Sequence, residues 1–188
     1  MRRQRRSIRL RSYDYTRAGA YFVTLCTKDR ECIFGEAIDG QVRLTDMGRV
    51  ADECWSWILQ HFKSVLTDAY VVMPNHLHGV LVVEYRDVWA QHAAPLPKPT
   101  GVNPGSLAAV VRSFKSAAAK RINEIRDTPG APVWQRNYFE HIIRDELSME
   151  RIRQYIIENP MRWPLDRENP IGHEPDMVIP FVSRQSEV

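Results

Sequence analysis

The sequence predicts an α+β fold in which helices pack on one face of an antiparallel sheet. Short segments rich in aromatic and β-branched residues, which are typical of strands, alternate with longer segments whose apolar residues recur at helical spacing. Turn-forming glycine, proline and asparagine residues separate these segments. The predicted order along the 188 residues is strand, strand, helix, strand, strand, helix, strand, helix. The length suits one domain with terminal extensions.

The first half of the chain predicts four strands and one helix. Residues 20–27, AYFVTLCT, predict the first strand, and residues 41–44 predict a second after the turn-like Asp39-Gly40 pair. Residues 69–73 and 76–84 predict two further strands that Pro74-Asn75 separates. Thr45 or Asp46 is placed to cap the intervening helix. The apolar side of that helix is formed by Val50, Cys54, Trp57, Ile58 and Phe62.

The second half predicts two helices around one extended segment. Residues 93–105 contain four prolines and predict a loop or linker. Ser106 begins a helix that runs to about Arg126, and residues 133–143 predict an extended segment. The last helix is expected from Glu146 to Glu158, because Asn159-Pro160 should end it. The polar side of the helix that begins at Ser106 is basic, with Arg112, Lys115, Lys120 and Arg121.

The composition is typical of a globular protein. Hydrophobic residues make up 44% and charged residues 26% of the chain, which provides enough apolar material for one core. The three cysteines form no CxxC pair, so we expect reduced thiols. No apolar run approaches the roughly 20 residues that a bilayer requires, and the N-terminus lacks the apolar segment of a signal peptide. The sequence therefore predicts a cytoplasmic protein without a membrane partner.

The positive charge of the chain is concentrated at its N-terminus. The formal net charge is only +3, yet residues 1–12 contain six arginines. Such a segment cannot bury itself, and we expect a flexible basic arm. Basic arms neutralise nucleic-acid phosphates with salt-dependent affinity, and this favours nucleic-acid contact. The alternative is an arm that only improves solubility.

Two histidines of the fourth predicted strand form a candidate metal half-site. In the segment Met73 to Val80, MPNHLHGV, His76 and His78 lie two residues apart. Side chains two apart on a strand point to the same side, so the two imidazoles lie together while Leu77 points to the opposite layer. Neutral imidazoles are common ligands of divalent metals. Paired histidines on a solvated face without a metal are the alternative.

The last predicted helix carries a second candidate pair. Tyr155 and Asn159 are four residues apart in RIRQYIIENP, so they share one side of the helix. The amide oxygen of Asn159 is able to complete a metal ligand set, and the phenol of Tyr155 is able to attack a phosphate held by that metal. The alternatives are a tyrosine that only packs and an asparagine that only ends the helix.

Four segments in this order resemble the HUH single-tyrosine transposases of bacteria, most closely the REP-associated branch. The likeness extends from about Tyr15 to Trp163. It implies one domain over residues 13–165, followed by an irregular tail at 166–188, and a ferredoxin-like antiparallel sheet with packed helices. The segments are MPNHLHGVL (Met73 to Leu81), SLAAVVRSFKSAAAKRINE (Ser106 to Glu124), VWQRNYFEHIIRDE (Val133 to Glu146) and RIRQYIIENPMRW (Arg151 to Trp163).

The resemblance also implies which residues carry the chemistry. Tyr155 corresponds to the family's nucleophile, and His76, His78 and Asn159 correspond to its ligands for a divalent metal, Mg²⁺ or Mn²⁺. Tyr138 is the rival nucleophile, but its segment offers no amide four residues later. Trp134, Gln135 and Arg136 match a signature near the site, for which we infer a structural or DNA-contacting role.

The expected function is that of a DNA strand transferase. The family cuts and rejoins single-stranded DNA hairpins through a 5′-phosphotyrosine, and its members act as monomers or homodimers. We expect Arg136 and the basic side of the Ser106 to Arg126 helix to contact DNA, with Arg112, Lys115, Lys120 and Arg121 holding phosphates. One alternative is a protein that binds DNA hairpins without cutting them. Another is a metal phosphodiesterase that uses water and does not need Tyr155.

Overall fold

The structure of the protein, a computed structural model, describes residues 18–84, 105–166 and 168–170. The predicted basic arm at 1–12, the proline-rich segment at 93–104 and the tail from 171 onward lie outside these residues. The strands are β1 (Gly19–Cys26), β2 (Gly35–Ile38), β3 (Gln41–Leu44), β4 (Val65–Val72), β5 (His76–Val83) and β6 (Phe139–Ile143). The helices are α1 (Asp46–Ser56), α2 (Ile58–His61), α3 (Leu107–Arg126) and α4 (Glu146–Arg162), with 3-10 turns at Lys28–Arg30 and Trp163–Leu165.

Four of the strands form an antiparallel sheet in the order β4-β5-β1-β6. The β1–β5 pair lies in the middle of the sheet and is regular from Gly19 opposite Val83 to Cys26 opposite His76. The short strands β2 and β3 form a separate hairpin. At its turn both Asp39 and Gly40 have positive φ, as a two-residue hairpin turn requires. This sheet with packed helices confirms the predicted α+β fold.

Helices cover both faces of the sheet, so the prediction that they pack on one face is wrong. Tyr21, Val23 and Leu25 of β1 join the large core that α1 and α3 cover. Phe22 points the other way and packs with Ile152 and Ile156 of α4. The physical reason is that β1 is apolar at nearly every position, as is typical of a strand buried on both faces.

Close packing between α1 and β5 depends on a glycine. A Cβ atom on Gly79 would lie 2.3 Å from Cζ2 of Trp55, a distance that two carbon atoms do not tolerate. Trp55 is fully buried, and its ring meets the edge of Phe114 from α3 with 5.4 Å between centroids. The aromatic cluster therefore fastens both helices to the same face of the sheet.

Several element boundaries differ from the predictions. The helix expected to end before Pro160 continues to Arg162. A proline near the end of a helix removes only one hydrogen bond, and Ile152 and Ile156 hold the preceding turns in the core. The helix that begins at Asp46 ends before Trp57, and this residue is 41% exposed rather than part of the apolar side. The hairpin strand β2 was not predicted, β4 begins at Val65, and β6 begins only at Phe139.

Within the described part of the chain, none of the helices has the length and apolar character needed to cross a membrane.

Candidate active site

The two histidines of β5 lie side by side on the face of the sheet that α4 covers. Their exposed fractions are 0% for His76 and 2% for His78, and their Nε2 atoms are 3.0 Å apart. Leu77, between them, points into the core on the opposite face. The period of a strand therefore places both imidazoles together, as the spacing predicts.

The protonation of His76 is set by the neighbouring amide of Asn75. The Nδ2 atom of Asn75 donates to the carbonyl oxygens of Arg30 at 3.0 Å and Glu168 at 2.7 Å. The amide is thus oriented with Oδ1 toward Nδ1 of His76 at 2.9 Å. Since Oδ1 only accepts, Nδ1 must carry the proton, and a neutral ring then has its lone pair on Nε2.

His78 is held by the strand beside it. Thr24 lies opposite His78 in the β1–β5 register, and its Oγ1 is 2.8 Å from Nδ1. The ring of Phe22 stacks on the imidazole with 5.3 Å between centroids. A hydroxyl that accepts from Nδ1 leaves the lone pair of His78 on Nε2, the atom that faces His76.

Burial keeps both rings neutral. It lowers the pKa of His76 to about 3, with a smaller contribution from the positive charge of Arg30. Burial also lowers the pKa of His78 far below its usual value, and the neighbouring His76 adds to this. Neutral imidazole is the form that binds metals, so the pair is in its ligand form over the physiological pH range.

Tyr155 reaches this pair from α4. Its hydroxyl oxygen lies 3.3 Å from Nε2 of His78, although the two residues are 77 positions apart in the sequence. The half-buried ring meets the edge of Phe22 with 6.0 Å between centroids. The helix is fixed on the sheet by Ile152 and Ile156 and by a two-pronged ion pair from Arg153 to Asp68 of β4, with both N–O distances at 2.9 Å.

Asn159 supplies a buried acceptor on the same helix. The residue is 1% exposed, and its Oδ1 atom has no hydrogen-bond partner among the described residues. A desolvated carbonyl oxygen without a donor is unfavourable by about 1–3 kcal/mol. A bound cation would satisfy it, so this atom is in the state expected of a metal ligand.

The donor set fits a divalent metal. Two nitrogens that each lie about 2.1 Å from one ion at a right angle are about 3.0 Å apart. The Nε2 atoms of His76 and His78 have this separation, 3.0 Å. The lone pair on Nε2 of His76 faces Nε2 of His78, so the two nitrogens are placed to share a proton or a cation between them.

Asp166 is the first residue of the predicted irregular tail, and the sequence does not predict it as a site residue. Its Oδ2 atom lies 4.0 Å from Nε2 of His76. The ligand atoms of His76, His78 and Asp166 all lie within 4.8 Å of one another. The residue follows the last motif by only three positions, but nothing in the spacing of the tail marks it as part of a site.

Some of the predicted DNA-contacting residues are exposed, and others contact neighbouring parts of the protein. Arg112, Lys120 and Arg136 are exposed. The amine of Lys115 instead donates to the carbonyl oxygen of Gln135 at 2.5 Å. Arg121 pairs with Glu53 at 2.6 Å and lies over the ring of Trp57.

The loop that contains Arg136 lies at the end of the sheet where the histidines are. The backbone N–H of Gln135 donates to the carbonyl of Cys26, and Cys26 pairs with His76. The rival nucleophile Tyr138 packs against the core that α1 and α3 cover, on the opposite side from the Tyr155 ring.

Comparison with known proteins gives two sequence relatives. An uncharacterised protein of Haemophilus influenzae is 41% identical over 171 residues, which cover 87% of this chain and 92% of the relative. The two proteins therefore belong to one family. A second protein of Haemophilus influenzae, provisionally described as a REP-associated tyrosine transposase, is 26% identical over 79% of this chain and 74% of its own length. No protein-family model matches the sequence.

A solved structure has the same fold. It is described as a REP-associated tyrosine transposase bound to a REP hairpin, and it aligns over 90% of this chain and 93% of its own with a TM-score of 0.54. The sequence identity is 16%, so the likeness concerns the fold alone. Together with the second sequence relative, it confirms the resemblance that the motifs predict.

Proposed function

This chain is a relative of the REP-associated tyrosine transposases, and we propose that it cuts and rejoins single-stranded DNA hairpins with Tyr155 as nucleophile. The observation that carries the proposal is the 3.3 Å separation between the Tyr155 hydroxyl and Nε2 of His78. A nucleophile candidate from one helix meets a metal-ligand pair from a distant strand.

The metal would be held by His76, His78 and Asn159. Their donor atoms are two imidazole nitrogens in the ligand form and one amide oxygen that is buried without a hydrogen-bond donor among the described residues. Nitrogen ligands suit Mn²⁺ better than Mg²⁺, which prefers oxygen. When bound, the ion polarises the scissile phosphate and offsets the negative charge that develops on it.

Tyr155 performs the covalent step. Its Oη forms a bond to phosphorus while the bond from phosphorus to the 3′ oxygen breaks, and the DNA 5′ end remains on the tyrosine as a phosphotyrosine. The phenol proton passes to solvent, and the departing oxygen takes a proton from solvent to become a 3′-hydroxyl. An incoming 3′-hydroxyl reverses the step and restores the tyrosine. Because the phosphotyrosine conserves the energy of the phosphodiester, rejoining requires no ATP.

The half-buried packing of Tyr155 explains how its hydroxyl is positioned. Contact with Phe22 limits rotation of the ring, and the Arg153–Asp68 pair fixes the helix against β4. Catalysis gains from such positioning, because a pre-oriented nucleophile loses little entropy on attack. The ring thus presents one oxygen to the site while its apolar part remains in the core.

The DNA is proposed to lie along exposed basic side chains of the loop beside the site and of α3. Arg136 is exposed at the end of the sheet that carries His76, and Arg112 and Lys120 are exposed on α3. These side chains would hold phosphates and set the position of the strand without reading its sequence. A REP hairpin is the DNA bound to the solved structure of the same fold, and it motivates the choice of hairpin substrates.

The test is covalent trapping of the nucleophile. Wild-type protein, Tyr155→Phe and Tyr138→Phe are incubated with labelled single-stranded hairpin DNA and Mn²⁺, and denaturing gels detect protein-linked DNA. We expect a metal-dependent linked band for wild type and for the matched control Tyr138→Phe. In Tyr155→Phe it should fall by at least about 10³-fold, because the residue provides the attacking oxygen.

The other outcomes identify the alternatives. Cleavage without a linked band in Tyr155→Phe would indicate a phosphodiesterase that uses water. Binding of several hairpins by wild-type protein without any cleavage would indicate a non-catalytic hairpin-binding protein. Loss of the band in Tyr138→Phe alone would transfer the role to that tyrosine.

A further inference from the structure

The chain returns to the histidines after α4 ends. Following the turn at Trp163–Leu165, the side chain of Asp166 is 7% exposed, and its Oδ2 lies 4.0 Å from Nε2 of His76. Two atoms that each lie about 2.1 Å from one ion are at most about 4.2 Å apart, so this separation is compatible with a shared ion. The start of the predicted tail therefore belongs to the surroundings of the metal-ligand pair.

The carboxylate of Asp166 has a defined orientation. The backbone N–H of Glu168 donates to its Oδ1 at 2.7 Å. That bond engages one carboxylate oxygen, and the other, Oδ2, is the one directed at His76. A ligand carboxylate is typically arranged so, with one oxygen held by the protein and the other directed at the metal.

The same segment is fastened to the residue that orients His76. The carbonyl oxygen of Glu168 accepts from Nδ2 of Asn75 at 2.7 Å, and the Glu168 carboxylate pairs with Nε of Arg30 at 2.9 Å. The side chain of Asn169 donates to the carbonyl of Trp163 at 3.0 Å and closes the turn. Asn75 thus links the position of Asp166 to the orientation of the His76 ring.

The charge of the ligand set points to the same role. Two neutral imidazoles and one amide bring no negative charge to a divalent ion, whereas Mn²⁺ and Mg²⁺ favour carboxylate oxygens. Among the described residues, Asp166 is the carboxylate whose oxygen lies within 4.8 Å of a ring nitrogen of each histidine. A set of two histidines and one carboxylate is common among divalent transition-metal sites.

We infer that Asp166 is a ligand of the metal centre, its Oδ2 joining the Nε2 atoms of His76 and His78. The inference rests on the proposed function, because that function supplies the metal. The inference adds a ligand outside the HUH and tyrosine motifs. It gives the first residue of the predicted tail a role in metal binding.

The test measures Mn²⁺ affinity of the full chain without DNA. Mn²⁺ alone is titrated into wild type, Asp166→Asn, Asp166→Glu and His76→Ala, with calorimetry and the electron paramagnetic resonance signal of free Mn²⁺ as readouts. Asp127→Asn is the matched control, since Asp127 is exposed at the end of α3 and its left-handed φ of 51° suits asparagine.

Affinity should fall at least tenfold in Asp166→Asn and remain unchanged in Asp127→Asn, since even residues that only support a ligand contribute 10–100-fold. Asp166→Glu keeps the charge and should recover part of the loss. An asparagine oxygen still accepts from the Glu168 N–H, so the Tm of metal-free Asp166→Asn should remain within about 2 °C of wild type. The rise in Tm that Mn²⁺ produces should shrink in that variant.

Two results would overturn the inference. Only one of them would also overturn the proposed metal site. Equal Mn²⁺ affinity in wild type and Asp166→Asn, with binding lost in His76→Ala, would exclude Asp166 and leave the proposed metal site intact. Equal affinity in wild type and His76→Ala would remove the metal from the histidines and overturn the proposed function as well.

Discussion

Alternate residues of the same two strands form the two faces of the β1–β5 pair, and the faces differ in character. Toward α1 and α3, the strands present fully buried apolar side chains, among them Val23, Leu25 and Leu77. Toward α4, Phe22 begins an apolar face that becomes polar at Thr24 and His78. One face is therefore apolar along its whole length, whereas the other changes from apolar to polar side chains toward one end.

The polar end is tolerable because almost every group there has a partner. Nδ1 of His76 donates to Asn75, Nδ1 of His78 meets Thr24, and Tyr155 contacts His78. Among the described residues at this end of the sheet, the exception is Oδ1 of Asn159. Buried polar groups lower stability unless they are hydrogen-bonded, so these contacts allow the two histidines to lie in the interior.

Leu77→Ala should affect stability far more than metal affinity. The residue lies between the two histidines in sequence but is fully buried on the opposite face. Truncating a buried leucine lowers the free energy of unfolding by about 2–5 kcal/mol through lost burial and a residual cavity. Urea unfolding of the metal-free protein measures this loss, and Mn²⁺ titration of the folded variant should give wild-type affinity within about threefold, since no ligand is removed.

A large loss of Mn²⁺ affinity in folded Leu77→Ala would contradict the separation of the two faces. It would mean that packing on the core side sets the positions of the imidazoles. Val80→Ala is the matched control, because Val80 is fully buried on the α4 face of the same strand.

Thr24→Val should have the opposite pattern. It removes the hydroxyl beside Nδ1 of His78 and leaves the shape of the side chain nearly unchanged. We expect Mn²⁺ affinity to fall about 10–100-fold, because the hydroxyl orients the ring and its tautomer. The free energy of unfolding should fall by only about 1 kcal/mol, the usual contribution of one hydrogen bond.

Thr67→Val provides the control for this change. Thr67 lies on β4 opposite Leu81 rather than opposite a histidine. Its substitution should leave Mn²⁺ affinity at the wild-type value. An unchanged affinity in Thr24→Val itself would show that His78 is oriented without the hydroxyl, by the stacked ring of Phe22 or by Tyr155.

The sequence predicts the parts of the site that depend on local geometry. His76 and His78 lie together because a strand repeats every two residues, and Tyr155 and Asn159 share a helix face because they are four residues apart. The prediction that helices pack on one face of the sheet is wrong because the residue pattern of a strand does not show what covers each side. The contact between Phe22 of β1 and Ile156 of α4 forms the second helical layer, and it joins residues that are distant in the sequence.

The supporting contacts join distant segments and have no local pattern. Thr24 and His78 are 54 residues apart, and Asn75 and Glu168 are 93 residues apart. Asp166 lies beyond the segments that resemble the transposases. Its approach to His76 follows from the continuation of α4 past Pro160 and from the turn that follows, neither of which the residue types predict.

Lys115→Met should have the smallest effect, a change of only a few-fold in hairpin affinity. The substitution distinguishes a lysine that holds DNA phosphates from one that only anchors the neighbouring loop. The sequence predicts that Lys115 holds phosphates, whereas in the structure its amine donates to the carbonyl of Gln135 and burial lowers its pKa. If this anchor is its role, Lys115→Met should weaken binding of a single-stranded hairpin only a few-fold. The dependence of log affinity on log salt concentration should then keep its wild-type slope, because no phosphate contact is lost.

Lys120→Met is the matched variant, since Lys120 is exposed on the same helix. Loss of one phosphate contact there should reduce the magnitude of the salt slope by about 0.7, the value for one neutralised phosphate on a single strand. Fluorescence anisotropy with a labelled hairpin at several salt concentrations measures both slopes. An equal reduction in Lys115→Met would assign that lysine to DNA despite its contact with Gln135. The loop that carries Arg136 would then be held by further contacts between α3 and this segment, among them the Nε1–H of Trp134 that donates to the carbonyl of Lys115 at 3.1 Å.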